Sequence, residues 1–222
     1  MNQNERLARH VLLFGVMPTW VVAGTVDWWC HRRTRIEENA GLPEALSHMV
    51  MIAEAGVPAV LALFLEVDPP LLALSWAATA AHELTASWDL AYAAPRRPLP
   101  VTEQHAHSFL EVLPIATSAL LSVLHPRAVK GLARGELRRW RLRPRRHPLH
   151  PAFRLGLVVA IGLLQGVTHV EEVVRCVRAA NRRRSGSRGS VTGAGSRGER
   201  PAFGGETTPG TSERTVRPPV GA

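Results

Sequence analysis

The chain has 222 residues and a formal charge of +9, carried almost wholly by arginine, since Lys130 is its one lysine. A mean hydropathy near zero conceals two unlike parts: long apolar runs from residue 11 to about 175, then an Arg-, Gly-, Ser- and Pro-rich tail from 181. The arginines cluster at 127–146 and 175–200, flanking apolar spans with Trp140 as the lone aromatic among them, which fits a membrane surface and argues against specific nucleic-acid binding.

A bilayer core takes about 20 mainly apolar residues, and five segments approach that length. The first runs from Val11 to Cys30. Arg6 and Arg9 precede it, no small-x-small cleavage site follows, and the Trp28-Trp29 pair suits the interface, so it reads as a retained span. The second runs from Leu46 to Glu66, and the third over 71–92 between Pro69-Pro70 and Pro95. The fourth covers 104–124 and stops before Pro126. A basic, proline-rich connection follows, expected to be a linker or a surface helix over 127–142 with Leu132, Leu137 and Trp140 toward lipid. A fifth span opens after Pro151, and the tail has too little to bury to offset the entropy of ordering. The expected fold is an all-α integral membrane helical bundle, multi-pass, in the bacterial inner membrane. Its parts are a four-helix transmembrane core over 1–125, the connection 126–151, a fifth transmembrane helix over 152–178 and a disordered tail over 181–222. Pro18, Pro58 and Pro114 inside the spans suit lipid better than water. Cys30 and Cys176 form no metal-binding spacing and read as small apolar residues at helix ends.

Ionisable residues inside these spans carry the functional argument, because each costs about 2.5–3.5 kcal/mol at the bilayer centre. Asp27 and His31 lie four apart at the end of the first span, and Glu44 and His48 four apart at the start of the second. His82 and Asp89 share a face of the third; Glu103, His107 and Glu111 form a stripe on the fourth. If successive spans alternate in direction, every one of these groups comes to one side of the bundle. The primary candidates for metal ligands are Asp27, His31, Glu44, His48, His82, Asp89, His107 and Glu111. Secondary candidates are Glu54, Glu83, Glu103, His105, His169 and Glu172. Glu37, Glu38, Arg96 and Arg97 read as solvated loop residues, and His125 as a surface residue. Mixed imidazole and carboxylate ligation suits iron, zinc or manganese, with iron favoured.

Three strings, Asp27-Trp-Trp-Cys-His31-Arg, His82-Glu83-Leu-Thr-Ala-Ser-Trp-Asp89 and Glu103-Gln-His105-Ala-His107-Ser-Phe-Leu-Glu111, resemble an uncharacterised group of small proteobacterial membrane proteins. The resemblance covers about 20–125 and implies no reaction. It leaves a membrane-embedded di-metal oxidoreductase or hydrolase acting on a lipid or other apolar substrate as the leading expectation. A haem-binding electron-transfer protein, with His48 and His107 as axial ligands, and a non-enzymatic metal or proton carrier are the alternatives.

Overall fold

The computed structural model describes residues 3–137, 143–146 and 149–193, with side chains described to 185. Residues 1–184 form one compact unit. Among the described residues its regular elements are all helices, joined by loops, with one isolated bridge between Leu65 and Pro144.

Helix α1 is one rod made of Gln3–His10, a π-helical turn at Val11–Val16 and Met17–Thr34. Pro18 lacks the N–H that would bond the Phe14 carbonyl, and the chain meets this with the wider turn directly before it. Arg35, at φ 54°, ends the rod in the left-handed conformation, and a 3₁₀ turn at Ile36–Glu38 leads to Gly41, at φ 71°. Helix α2 spans Leu42–Phe64 and α3 spans Pro69–Ala93. Asp68 caps α3 by accepting from the Leu71 N–H at 3.0 Å, while Pro69 and Pro70 fill the first turn, where no N–H is needed. Helix α4 covers Val101–Leu124 and α5 Pro126–Ala133. Helix α6 begins as Pro151–Ile161, passes a π turn at Gly162–Val167 and continues as Thr168–Gly193.

Neighbouring helices are antiparallel: α2 packs on α3, α3 on α4, and α4 on α1. Small polar residues let α3 and α4 approach closely. Ser118 lies 2.8 Å from both the Ser75 and Thr79 hydroxyls, a packing mode suited to lipid, where burying apolar groups supplies little drive. Four helical rods are long and apolar enough to cross a bilayer: Gln3–Thr34, Leu42–Phe64, Val101–Leu124 and Pro151–Ser185. Helix α3 is long enough at 25 residues, about 37 Å, but its His82, Glu83 and Asp89 make it less apolar. The expected fifth span is thus among the four most apolar rods, while the expected third is not. Phe14, Leu84 and Leu155 are each more than 60 % exposed, which suits a lipid-facing surface.

Helix α6 runs alongside α1 in the same direction. Phe153 meets Phe14 near its start, and Arg175 pairs with Glu37 near its end. In between, the Gln165 amide donates to the Val21 carbonyl at 2.8 Å, over Gly24, where a Cβ would collide with that amide. The surface helix is shorter than expected. It ends at Ala133, packs Ala128 and Leu132 against α3 and leaves Leu137 exposed; Trp140 lies outside the described residues. Residues 181–193, expected in the tail, continue α6, and 194–222 lie outside the described residues.

Candidate metal centre

Five helical rods and one loop deliver ionisable side chains to the end of the bundle where α1 finishes and α2 starts. Asp27 and His31 come from the last turns of α1, and Glu44 and His48 from the first turns of α2. Asp89 comes from the end of α3, Glu103 and His107 from the start of α4, and Glu172 from α6. His107 is partly exposed; the other seven are buried, with His31, Glu44, Glu103 and Glu172 fully so.

Glu172 organises the two central imidazoles. Its Oε2 lies 3.1 Å from His31 Nδ1 and its Oε1 3.0 Å from His48 Nδ1, with the two rings stacked at 4.5 Å. A carboxylate can only accept here, so each Nδ1 carries its proton toward Glu172. For a neutral His31 this leaves the lone pair on Nε2, the arrangement that carboxylate partners impose on metal-binding histidines.

That Nε2 faces Glu103 Oε1 at 3.4 Å and Asp27 Oδ1 at 3.5 Å, and His107 Nε2 lies 2.9 Å from the same Asp27 oxygen. The four side chains bring one ligand atom each within 4.8 Å of one another. Bonds of 2.0–2.2 Å to a tetrahedral ion would set neighbouring ligand atoms roughly 3.3–3.5 Å apart. The observed separations sit close to that range. His31 Nε2 and Asp27 Oδ1 are also buried and, despite these ion-pair contacts, make no aligned hydrogen bond, which leaves both atoms open to a further partner.

Charge balance leaves room for a cation. Asp27, Glu44, Asp89, Glu103 and Glu172 are buried carboxylates, and Arg97 is the one buried guanidinium among the described residues. Arg97 forks between Glu44 and Glu103 with bonds to both oxygens of each. Burial alone would lower the Arg97 pKa, but the hydrogen bonds to Glu103 and Glu44 outweigh it and hold the group above the ordinary arginine value. Expected to be a solvated loop residue, Arg97 is instead the internal counter-ion of the site. Four negative charges remain. His48 can answer one, because its Nε2 lies 3.3 Å from Asp89 Oδ2 while its Nδ1 faces Glu172, and both nitrogens donate only in an imidazolium. His31, between Glu172 and the Asp27/Glu103 pair, and His107, against Asp27, can answer two more as imidazoliums, or a bound cation can take their place.

A second group, His31, Glu44 and His48, also brings ligand atoms together. It shares His31 with the first, its Glu44 lies in the fork of Arg97, and His48 has both nitrogens on carboxylates. It therefore competes with the first group and does not add to it.

The remaining expected ligands fall outside. His82 Nδ1 lies 3.3 Å from the Met51 carbonyl, and its buried Nε2 has no partner. His82, Glu111 and His169 line a partly open cleft of about 540 Å³ that also reaches Asp27, His48, Asp89 and His107. Trp20, Ile52, Ala86 and Leu110 give that cleft apolar walls. His169 is tied by Nδ1 to the Gln165 carbonyl at 2.7 Å. Glu54 accepts from Thr85 at 3.1 Å, and Glu83 is partly buried. His105 is exposed: two residues from His107, it points to the opposite side of α4. Cys30 and Cys176 are both free and buried.

The four apolar rods and the buried His, Asp and Glu groups fit a membrane protein that binds metal. No protein-family model matches the chain, and neither the curated proteins nor the solved structures contain a match.

Proposed function

We propose that the protein is a membrane-embedded metal-dependent enzyme whose single metal ion is held by Asp27, His31, Glu103 and His107, and that its substrate is a lipid or another apolar molecule. The observation that carries this is the set of four converging ligand atoms, two of them buried without an aligned hydrogen bond. Glu103 is shared with Arg97, which leaves two imidazoles and the Asp27 carboxylate as the ligands not claimed by a guanidinium. That set, with open positions, is the chemistry of non-haem iron oxidoreductases, and in zinc form that of metal-assisted hydrolysis. Iron and oxidation are the favoured pair, because the cleft beside the ligands has apolar walls suited to a hydrocarbon chain. The ion would supply a Lewis-acidic centre for oxygen or water. The chain's own part is to hold His31 through Glu172, to fix Glu103 through Arg97 and to seat the substrate against Trp20 and Leu110. His82, with its free Nε2 in the cleft, is placed to accept a proton from that substrate.

A single centre is favoured over the two-metal expectation, because both candidate groups among the described residues need His31. Against the haem alternative, His48 has both ring nitrogens on carboxylates. Metal analysis of detergent-purified protein tests the proposal. About one first-row transition ion per chain is expected, lost in His31→Ala and His107→Ala but kept in His105→Ala, which alters an exposed residue of the same helix. Protein free of metal in every preparation, including after incubation with iron or zinc, would overturn it.

A further inference from the structure

The opposite end of the bundle holds a second crevice, of about 910 Å³, remote in the helices from the ligand cluster. Leu12 and Met17 of α1, Leu63 of α2, Leu121 of α4 and Leu157 of α6 give it apolar walls. Its rim is polar and mainly cationic, with Arg9, Arg145 and His125, and with Glu5 as the acidic member. Arg145 is not there by chance of a loose loop. The Glu66 N–H donates to the Arg143 carbonyl at 2.8 Å and the Arg145 N–H to the Phe64 carbonyl at 3.0 Å, which lashes this strand of chain across the end of α2.

We infer that this crevice binds an anionic phospholipid, with an acyl chain between α1, α2, α4 and α6 and the phosphate between Arg9 and Arg145. Charge complementarity argues for that occupant. Burial and the like charge of Arg9 hold the Arg145 pKa below the ordinary arginine value, so an anion between them relieves both. Burial, and then Arg145, push His125 down to about 4, so the imidazole is neutral at pH 7, and its buried Nε2 has no hydrogen-bond partner in the protein. It can donate to or accept from a headgroup without adding charge. Expected to be a surface residue, His125 is instead part of this rim. Apolar walls alone would take any lipid; the paired guanidiniums are what select charge. The inference is independent of the metal centre and survives its failure.

The test is thermal unfolding of delipidated protein in detergent, with phosphatidylglycerol or phosphatidylcholine of identical chains added. Phosphatidylglycerol should raise Tm, and native mass spectra of an equimolar lipid mixture should show it retained over phosphatidylcholine by a factor on the order of ten or more. The Arg9→Gln/Arg145→Gln double variant should lose that preference, while Lys130→Gln/Arg134→Gln, on the exposed surface, should keep it. Equal retention of the two lipids, or an unchanged preference in the Arg9/Arg145 variant, would overturn the inference. So would an equal rise in Tm with inorganic phosphate alone, which would mark a small-anion site. If the double variant does not fold, the wild-type lipid competition and single Arg9→Gln decide the matter in the same way.

Discussion

Arg97 and Arg96 are adjacent in a Pro-Arg-Arg-Pro loop, yet they meet opposite fates. Arg96 lies over the Tyr92 ring at 3.7 Å in the exposed loop, whereas Arg97 turns inward and joins Glu44 to Glu103. Nothing local distinguishes the two, so the sequence reading placed both in water. The signal available was global: five carboxylates inside a bundle require cations, and these are the only basic residues in the loop joining α3 to α4. Removing one partner of a buried ion pair strands the other charge, so Arg97→Ala is expected to cost about 3–5 kcal/mol. Arg97→Lys should recover only part of it, since an ammonium cannot fork between two carboxylates. Equilibrium unfolding in mixed micelles measures both; a loss below about 1 kcal/mol for the alanine variant would mean that Arg97 is exposed and its carboxylates are balanced otherwise.

At the scale of the helix, periodicity is a good guide to faces and a poor one to depth. The four-residue pairs Asp27/His31 and Glu44/His48 were legible because one helical turn returns a side chain to the same face. His82 shares a face with Asp89, but seven residues set it about 10 Å deeper, and Glu111 lies about 6 Å beyond His107. The ligand cluster is only about one turn thick, so these two line the cleft and do not join it. Glu172 ranks second in the sequence because the residues leave open whether the fifth span crosses the membrane. Its position depends on how closely α6 approaches α1, which Gly24 allows. A methyl group at Gly24 would displace the Gln165 amide from the Val21 carbonyl and leave it buried and unpaired. Gly24→Ala is therefore expected to cost about 1–3 kcal/mol. Adding Gln165→Ala should recover much of that loss in a double-mutant cycle. Strictly additive effects in thermal or chemical unfolding would show that the two residues are not in contact.

For the whole molecule, short connections make α1 to α4 alternate in direction, and alternation alone gathers their ionisable ends on one side. That much follows from span lengths and loop lengths, and so the existence of a His/carboxylate cluster at one end was readable. The all-helical class was readable for the same reason. Which members converge was not, because it depends on helix rotation and on the long connection that brings α6 back beside α1. Asp27, His31 and His107 were anticipated as primary ligands and do converge. Glu103, ranked second, completes the group while sharing Arg97 with Glu44, whose own group with His31 and His48 competes for His31. The bundle thus has a charged end built around His31 and an amphipathic crevice at the other end, with apolar packing of Val16, Trp20 and Leu113 between them.

The central claim is that one ion sits between Asp27, His31, Glu103 and His107, and X-ray absorption at the metal edge of the purified, metal-loaded protein addresses it directly. Expected is a first shell of oxygen and nitrogen at roughly 2.0–2.2 Å, with outer-shell scattering from two imidazole rings, and no such ion bound in His107→Ala. A shell of oxygen alone with no imidazole signature, or a spectrum unchanged by His107→Ala, would contradict it.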